Sequence, residues 1–99
     1  MDLAQFRQSL EAASPPPGLQ GPLAALWHLA KNDWQRAHEL AQASDGKDGA
    51  WVHAHLHRVE GDAGNAAYWY RRAGRVAAGG PLDAEWDAIA AALLAASPR

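Results

Sequence analysis

The chain has 99 residues, a formal net charge of −2 and no cysteine, which admits one hydrophobic core and leaves no room for a second domain. Eleven acidic against nine basic side chains give no basic field to hold nucleic acid phosphates, and the lack of cysteine removes disulfides, thiolate metal sites and cysteine nucleophiles. No apolar run nears the ~18 residues that span a bilayer, and the opening Met1, Asp2, Leu3, Ala4 and Gln5 lack a secretory pattern. The expectation is a cytoplasmic protein that engages neither nucleic acid nor membrane.

About a quarter of the residues are Ala, and Val, Ile and Thr are scarce, which favours helices over sheet. Leu3, Phe6, Leu10 and Ala13 recur at helical spacing behind Asp2, a natural N-cap, so a first helix is predicted over residues 2–13. Pro15, Pro16 and Pro17 with Gly18 stop it and stiffen the connector that follows, giving an N-terminal unit over 1–21. Leu23, Leu26, Trp27 and Ala30 then form one apolar stripe. Asn32-Asp33 breaks the chain, and Asp33 restarts it as the cap of a helix carrying Trp34, Ala37, Leu40 and Ala41. So short a turn makes the two helices antiparallel, which defines a first hairpin over 22–44. Asp45-Gly46-Lys47-Asp48-Gly49 reads as a loop by composition. A second hairpin is expected over 48–78, with Val52, Leu56 and Val59 on one helix and Ala66, Trp69, Tyr70 and Ala73 on the other, hinged at Gly61-Asp62. Gly79, Gly80 and Pro81 end it, and Asp83 caps a last helix over 82–97 bearing Trp86, Ile89, Ala90 and Leu93.

The two hairpins superimpose at an offset of 29 residues: His28 falls on His57, Asn32-Asp33 on Gly61-Asp62, Ala37 on Ala66 and Ala41 on Tyr70. Self-similarity of this kind marks a repeat architecture. The expected fold is therefore all-α: about six short helices, two stacked antiparallel hairpins with terminal helices closing them.

The run from Gly61 to Ala73, with its Gly-Asp turn, Ala66, the Tyr68-Trp69-Tyr70 cluster, two arginines and Ala73, resembles the second half of a tetratricopeptide or Sel1-like repeat. Asn32-Asp33-Trp34 with Ala37 and Ala41 matches the same frame more weakly, and the resemblance spans roughly residues 22–78. The offset is shorter than either family's unit, so the chain looks like a divergent relative. The resemblance implies a non-catalytic module that binds a peptide or protein partner in a groove.

Two residue groups carry candidate chemistry. His53, His57 and Glu60 fall on one helix face, while His55 points nearly the opposite way. Two imidazoles and a carboxylate so placed suit zinc or nickel, and they equally suit a solvated helix face. His28, the repeat equivalent of His57, lies about 10 Å away if the hairpins stack, too far to share an ion. The other group is Arg58, Arg71, Arg72 and Arg75 beside Tyr68, Trp69 and Tyr70. Tyr68 and Arg72 are one turn apart, and guanidinium on aromatic suits an acidic peptide, a carboxylate terminus or a phosphate, whereas Arg58 and Arg72 paired with Glu60 and Asp62 would only keep the helix soluble.

Of five tryptophans, Trp27, Trp51, Trp69 and Trp86 lie on or beside the apolar stripes as core fillers. Trp34, in the first turn of its helix, and Trp51 are also candidates for an exposed aromatic contact, which would allow a homodimer. Ser9, Ser14, Ser44 and Ser97 have no histidine near them in sequence, and no phosphate loop follows a strand. The sequence thus points to a non-enzymatic interaction module without cofactor, whose partner-binding candidates are Tyr68, Arg71, Arg72, His53, His57, Trp34 and Trp51. The alternative is a metal- or small-ligand-binding protein using His53, His57 and Glu60.

Overall fold

The computed structural model describes residues 1–96 and consists, over those residues, of six helices and no strand: α1 Leu3–Ser9, α2 Gly21–Ala30, α3 Trp34–Ala43, α4 Gly46–Val59, α5 Ala63–Ala73 and α6 Leu82–Ala96. Ser97, counted in the expected last helix, lies outside the described residues. No helix among them is long and apolar enough to cross a membrane.

Both expected hairpins form, α2–α3 and α4–α5, the second over residues 46–73 rather than 48–78, and both turns use the same local chemistry. Asn32 at φ 65° and Gly61 at φ 85° take up the left-handed backbone, which glycine and asparagine tolerate best. Each reversal is closed alike, Asp33 N donating to His28 O and Asp62 N to His57 O, both at 2.9 Å. The following Asp side chain then caps the next helix, Asp33 accepting from Arg36 N and Asp62 from Asn65 N, each at 3.1 Å. Small residues face inward beyond the caps: Ala37, Ala41 and Ala66 are buried, which lets paired helices approach closely.

The expected loop over Asp45–Gly49 is instead the start of α4, which begins at Gly46, so the second hairpin starts earlier than 48. Gly49 looks like a loop residue but serves close approach: a Cβ there would lie 2.2 Å from the carbonyl oxygen of Ser44. Replacing a helical glycine by alanine ordinarily stabilises by ~1 kcal/mol; Gly49→Ala is expected to reverse that sign and cost about 1–3 kcal/mol through backbone overlap. Gly64 in α5 is the control, since a Cβ there would meet only Asp62 Oδ1, at 3.8 Å, and Gly64→Ala should gain about 0.5–1 kcal/mol. Urea denaturation of the pair reads both signs.

Helix α1 also departs from expectation, ending at Ser9 rather than 13. Leu10, Glu11 and Ala12 donate to carbonyls three residues back, those of Arg7, Gln8 and Ser9, a tightened final turn. Helix α4 is the centre of the fold and contacts α2, α3, α5 and α6. Every residue from Gly49 to His57 is buried. The first and last helices meet each other, with Phe6 stacked on Trp86 at 5.6 Å between ring centroids.

Candidate functional site

A central helix buried on all sides must partner its polar side chains, and α4 does so differently on its two faces. His55, on one face, is 1% exposed, and its Nδ1 lies 2.6 Å from Oε1 of Glu85 on α6. Arg58 Nη1 donates to the same oxygen at 3.0 Å, and the Tyr70 hydroxyl donates to Oε2. Arg58 also donates to the Gly80 carbonyl. Burial alone would raise the Glu85 pKa, but the hydrogen bonds from His55, Tyr70 and Arg58 outweigh it and hold the carboxyl at about 2. Burial and the Glu85 carboxylate push the Tyr70 hydroxyl upward. All three donors converge on one carboxylate, which ties α4 and α5 to α6.

The opposite face carries His53 and His57, one turn apart, and α3 adds His38. The three imidazoles bring donor nitrogens within 4.8 Å of one another, and Nε2 of His53 lies 2.9 Å from Nε2 of His38. His57 directs Nδ1 at Glu60 Oε1, 2.5 Å away. Indoles wall the cluster: Trp69 stacks on His53 at 3.8 Å and Trp34 on His38 at 4.9 Å, while Trp34 Nε1 donates to Leu56 O at 2.8 Å. Desolvation, followed by the His38, His57 and Arg72 charges, lowers His53 to about 4. His38 is lowered as well, first by burial and then by His57. Both rings are therefore neutral near pH 7 and hold unprotonated nitrogens.

The surface end of α5 is a basic ridge. Arg72 lies with its guanidinium 5.0 Å from the Trp69 ring centre and 5.8 Å from that of Tyr68, and donates to the Tyr68 hydroxyl at 3.1 Å. Gly74, at φ 71°, turns the chain out of the helix, so that Arg75 folds back over Trp51 at 3.4 Å. Lys47 reaches the same end, its Nζ 3.7 Å from where a Gly74 Cβ would stand. Arg71, Arg72 and Arg75 are exposed, and the ion pairs of arginine among the described residues are those of Arg7, Arg36 and Arg58. An open cleft of about 630 Å³ adjoins the ridge, lined by Trp51, Arg75, Val76 and Pro81 among others.

Of the partner-binding candidates, Tyr68, Arg71 and Arg72 are exposed and adjacent, whereas His53, His57 and Trp51 are buried and Trp34 is half-buried. The rings of Trp34, His38, His53, His57 and Trp69 pack together between α3, α4 and α5, and the candidates that remain exposed lie on α5. His53, His57 and Glu60 do come together, and the residue that sequence reasoning missed is His38. Its one signal was Trp34, four residues earlier on the same helix face. His28 packs edge-on against Trp27 and takes no part in the cluster. Arg58 pairs with Glu85, not with Glu60 or Asp62. Comparison with protein families, curated proteins and solved structures finds no match to this chain.

Proposed function

We propose that the protein is a non-catalytic interaction module that binds an acidic peptide segment of a partner protein along the ridge of Arg71, Arg72 and Arg75. The observation that carries this reading is three exposed guanidinium groups at one helix end, none paired with a carboxylate among the described residues, two of them stacked on aromatic rings. A guanidinium oriented by an aromatic face loses less freedom when it grips a carboxylate or phosphate in a forked pair. The adjoining cleft beside Trp51 offers an apolar side chain of the same segment a place to insert, which adds specificity to a charge-driven contact.

A fluorescently labelled glutamate-rich peptide carrying one leucine is expected to bind with an affinity that falls as salt is raised, because exposed charge pairs are screened. Arg71→Glu with Arg75→Glu should weaken binding by about a hundredfold or more, the scale on which like charges reject a partner, while leaving thermal stability nearly unchanged. Equal binding by the charge-reversed protein, or none by the parent to either the glutamate peptide or its phosphoserine counterpart, would sink the proposal.

A further inference from the structure

The imidazole cluster on the inner face of α4 has no role in the peptide contact, although Trp69, which stacks on His53, also carries the Arg72 guanidinium. We infer that His38, His53 and His57 form a binding site for one divalent transition ion of the zinc, nickel and copper group, with Glu60 as the outer carboxylate that orients His57.

The donor set favours this class of ion. Three imidazole nitrogens and no thiolate suit borderline transition ions, whereas calcium and magnesium take oxygen ligands, of which His38, His53 and His57 supply none. The geometry is close to what ligation requires. Zinc–imidazole bonds of about 2.0–2.1 Å in a tetrahedral site set neighbouring donors about 3.3 Å apart. Here His38 and His53 nitrogens stand at 2.9 Å and all three rings supply donors within 4.8 Å, so small side-chain rotations bring the set to coordination distance. Two helices supply the ligands, α4 twice at one-turn spacing and α3 once, and the α3–α4 contact fixes their separation. Three protein ligands leave a fourth position for solvent or another ligand.

A second observation points to a ligand. His57 presents Nδ1 to the Glu60 carboxylate at 2.5 Å, which leaves Nε2 for the cluster and reproduces the carboxylate–histidine arrangement that sets ring orientation and basicity at metal centres. His53, 3% exposed, turns Nε2 toward His38, and its ring is held in that orientation by the stack on Trp69.

Zinc chloride titrated into the untagged full chain, read by native mass spectrometry and by competition with a chromophoric indicator, tests the site. One zinc per chain is expected, with affinity reduced roughly tenfold or more in His38→Ala and about tenfold in Glu60→Gln, the range seen for outer-sphere partners, and unchanged in His28→Ala. His38 is only half-buried, so its loss is the variant least harmful to folding; His38→Gln, checked by circular dichroism, serves where the alanine variant unfolds. Absence of stoichiometric zinc on the folded parent overturns the assignment. Zinc that survives both His38 variants but leaves on Asp62→Asn overturns it too, and moves the ion to the group His57, Glu60 and Asp62, whose donors also converge.

Discussion

Glu85→Ala is expected to lower the free energy of unfolding by about 3–5 kcal/mol, the range for stripping one partner from a buried charged network, and therefore by a large share of the 5–15 kcal/mol typical of a whole domain. Three groups lose their common acceptor at once: the His55 ring, the Tyr70 hydroxyl and the Arg58 guanidinium, the first two in positions that water cannot reach. Glu85→Gln keeps the volume and one acceptor oxygen but removes the charge, so a smaller loss of about 1–3 kcal/mol follows. Acid separates charge from shape. The Glu85 carboxyl ionises near 2 in the folded protein against 4.5 for the free group, so the unfolded chain takes up the proton first. Its contribution is whole above about pH 4.5 and fades as pH falls toward 2. Denaturant midpoints measured across that interval should slope less steeply in Glu85→Gln than in the parent. Identical slopes, or a Glu85→Ala midpoint equal to that of the parent, would show that the network does not hold α6 in place.

That network also marks where the sequence stops being readable. The hairpin turns were legible because their chemistry is local: a left-handed residue followed by an Asp that caps the next helix needs only four or five consecutive positions, and Asn32-Asp33 and Gly61-Asp62 supply them. Helical rotation correctly separated His53 and His57 from His55, since that depends only on spacing within α4. What lay beyond reach were the partners from other elements. Glu85 comes to His55 across 30 residues of chain, and nothing in either segment names the other. His38 was hidden for a related reason: repeat arithmetic directed attention to His28, while the α3–α4 contact is made by a helix that the arithmetic pairs with α2. Gly49 was misread because a glycine needed for close approach and a glycine needed for a turn are the same letter. The site residues were thus half legible, with the exposed arginines and the α4 histidines visible and the third imidazole and buried carboxylate not.

Trp86→Ala is expected to cost about 3–5 kcal/mol, as emptying a large buried aromatic site does, and to act unevenly across the fold. The indole stacks on Phe6 and donates from Nε1 to the Leu26 carbonyl at 3.0 Å, so it joins α6 to both α1 and α2. Helix α1 has only 7 residues, far below the length at which a helix persists alone in water, and its side chains are held from outside. Besides the Phe6 stack, it has Trp27 Nε1 donating to Ser9 Oγ at 3.2 Å, Lys31 Nζ donating to the Leu10 carbonyl at 2.7 Å, and an Arg7–Asp87 pair. The ion pair is exposed and adds little, which leaves the aromatic stack as the main tether. Amides of α1 should therefore exchange with solvent much faster in Trp86→Ala, while those of α4 and α5 slow or quicken only with global stability. Trp86→Phe, which restores an aromatic surface but not the donor to Leu26, should recover most of the α1 protection and lose about 1 kcal/mol for the missing hydrogen bond. Uniform loss of protection in Trp86→Ala would mean that α1 folds and unfolds with the hairpins, and that the contacts from Trp27 and Lys31 hold it without Trp86.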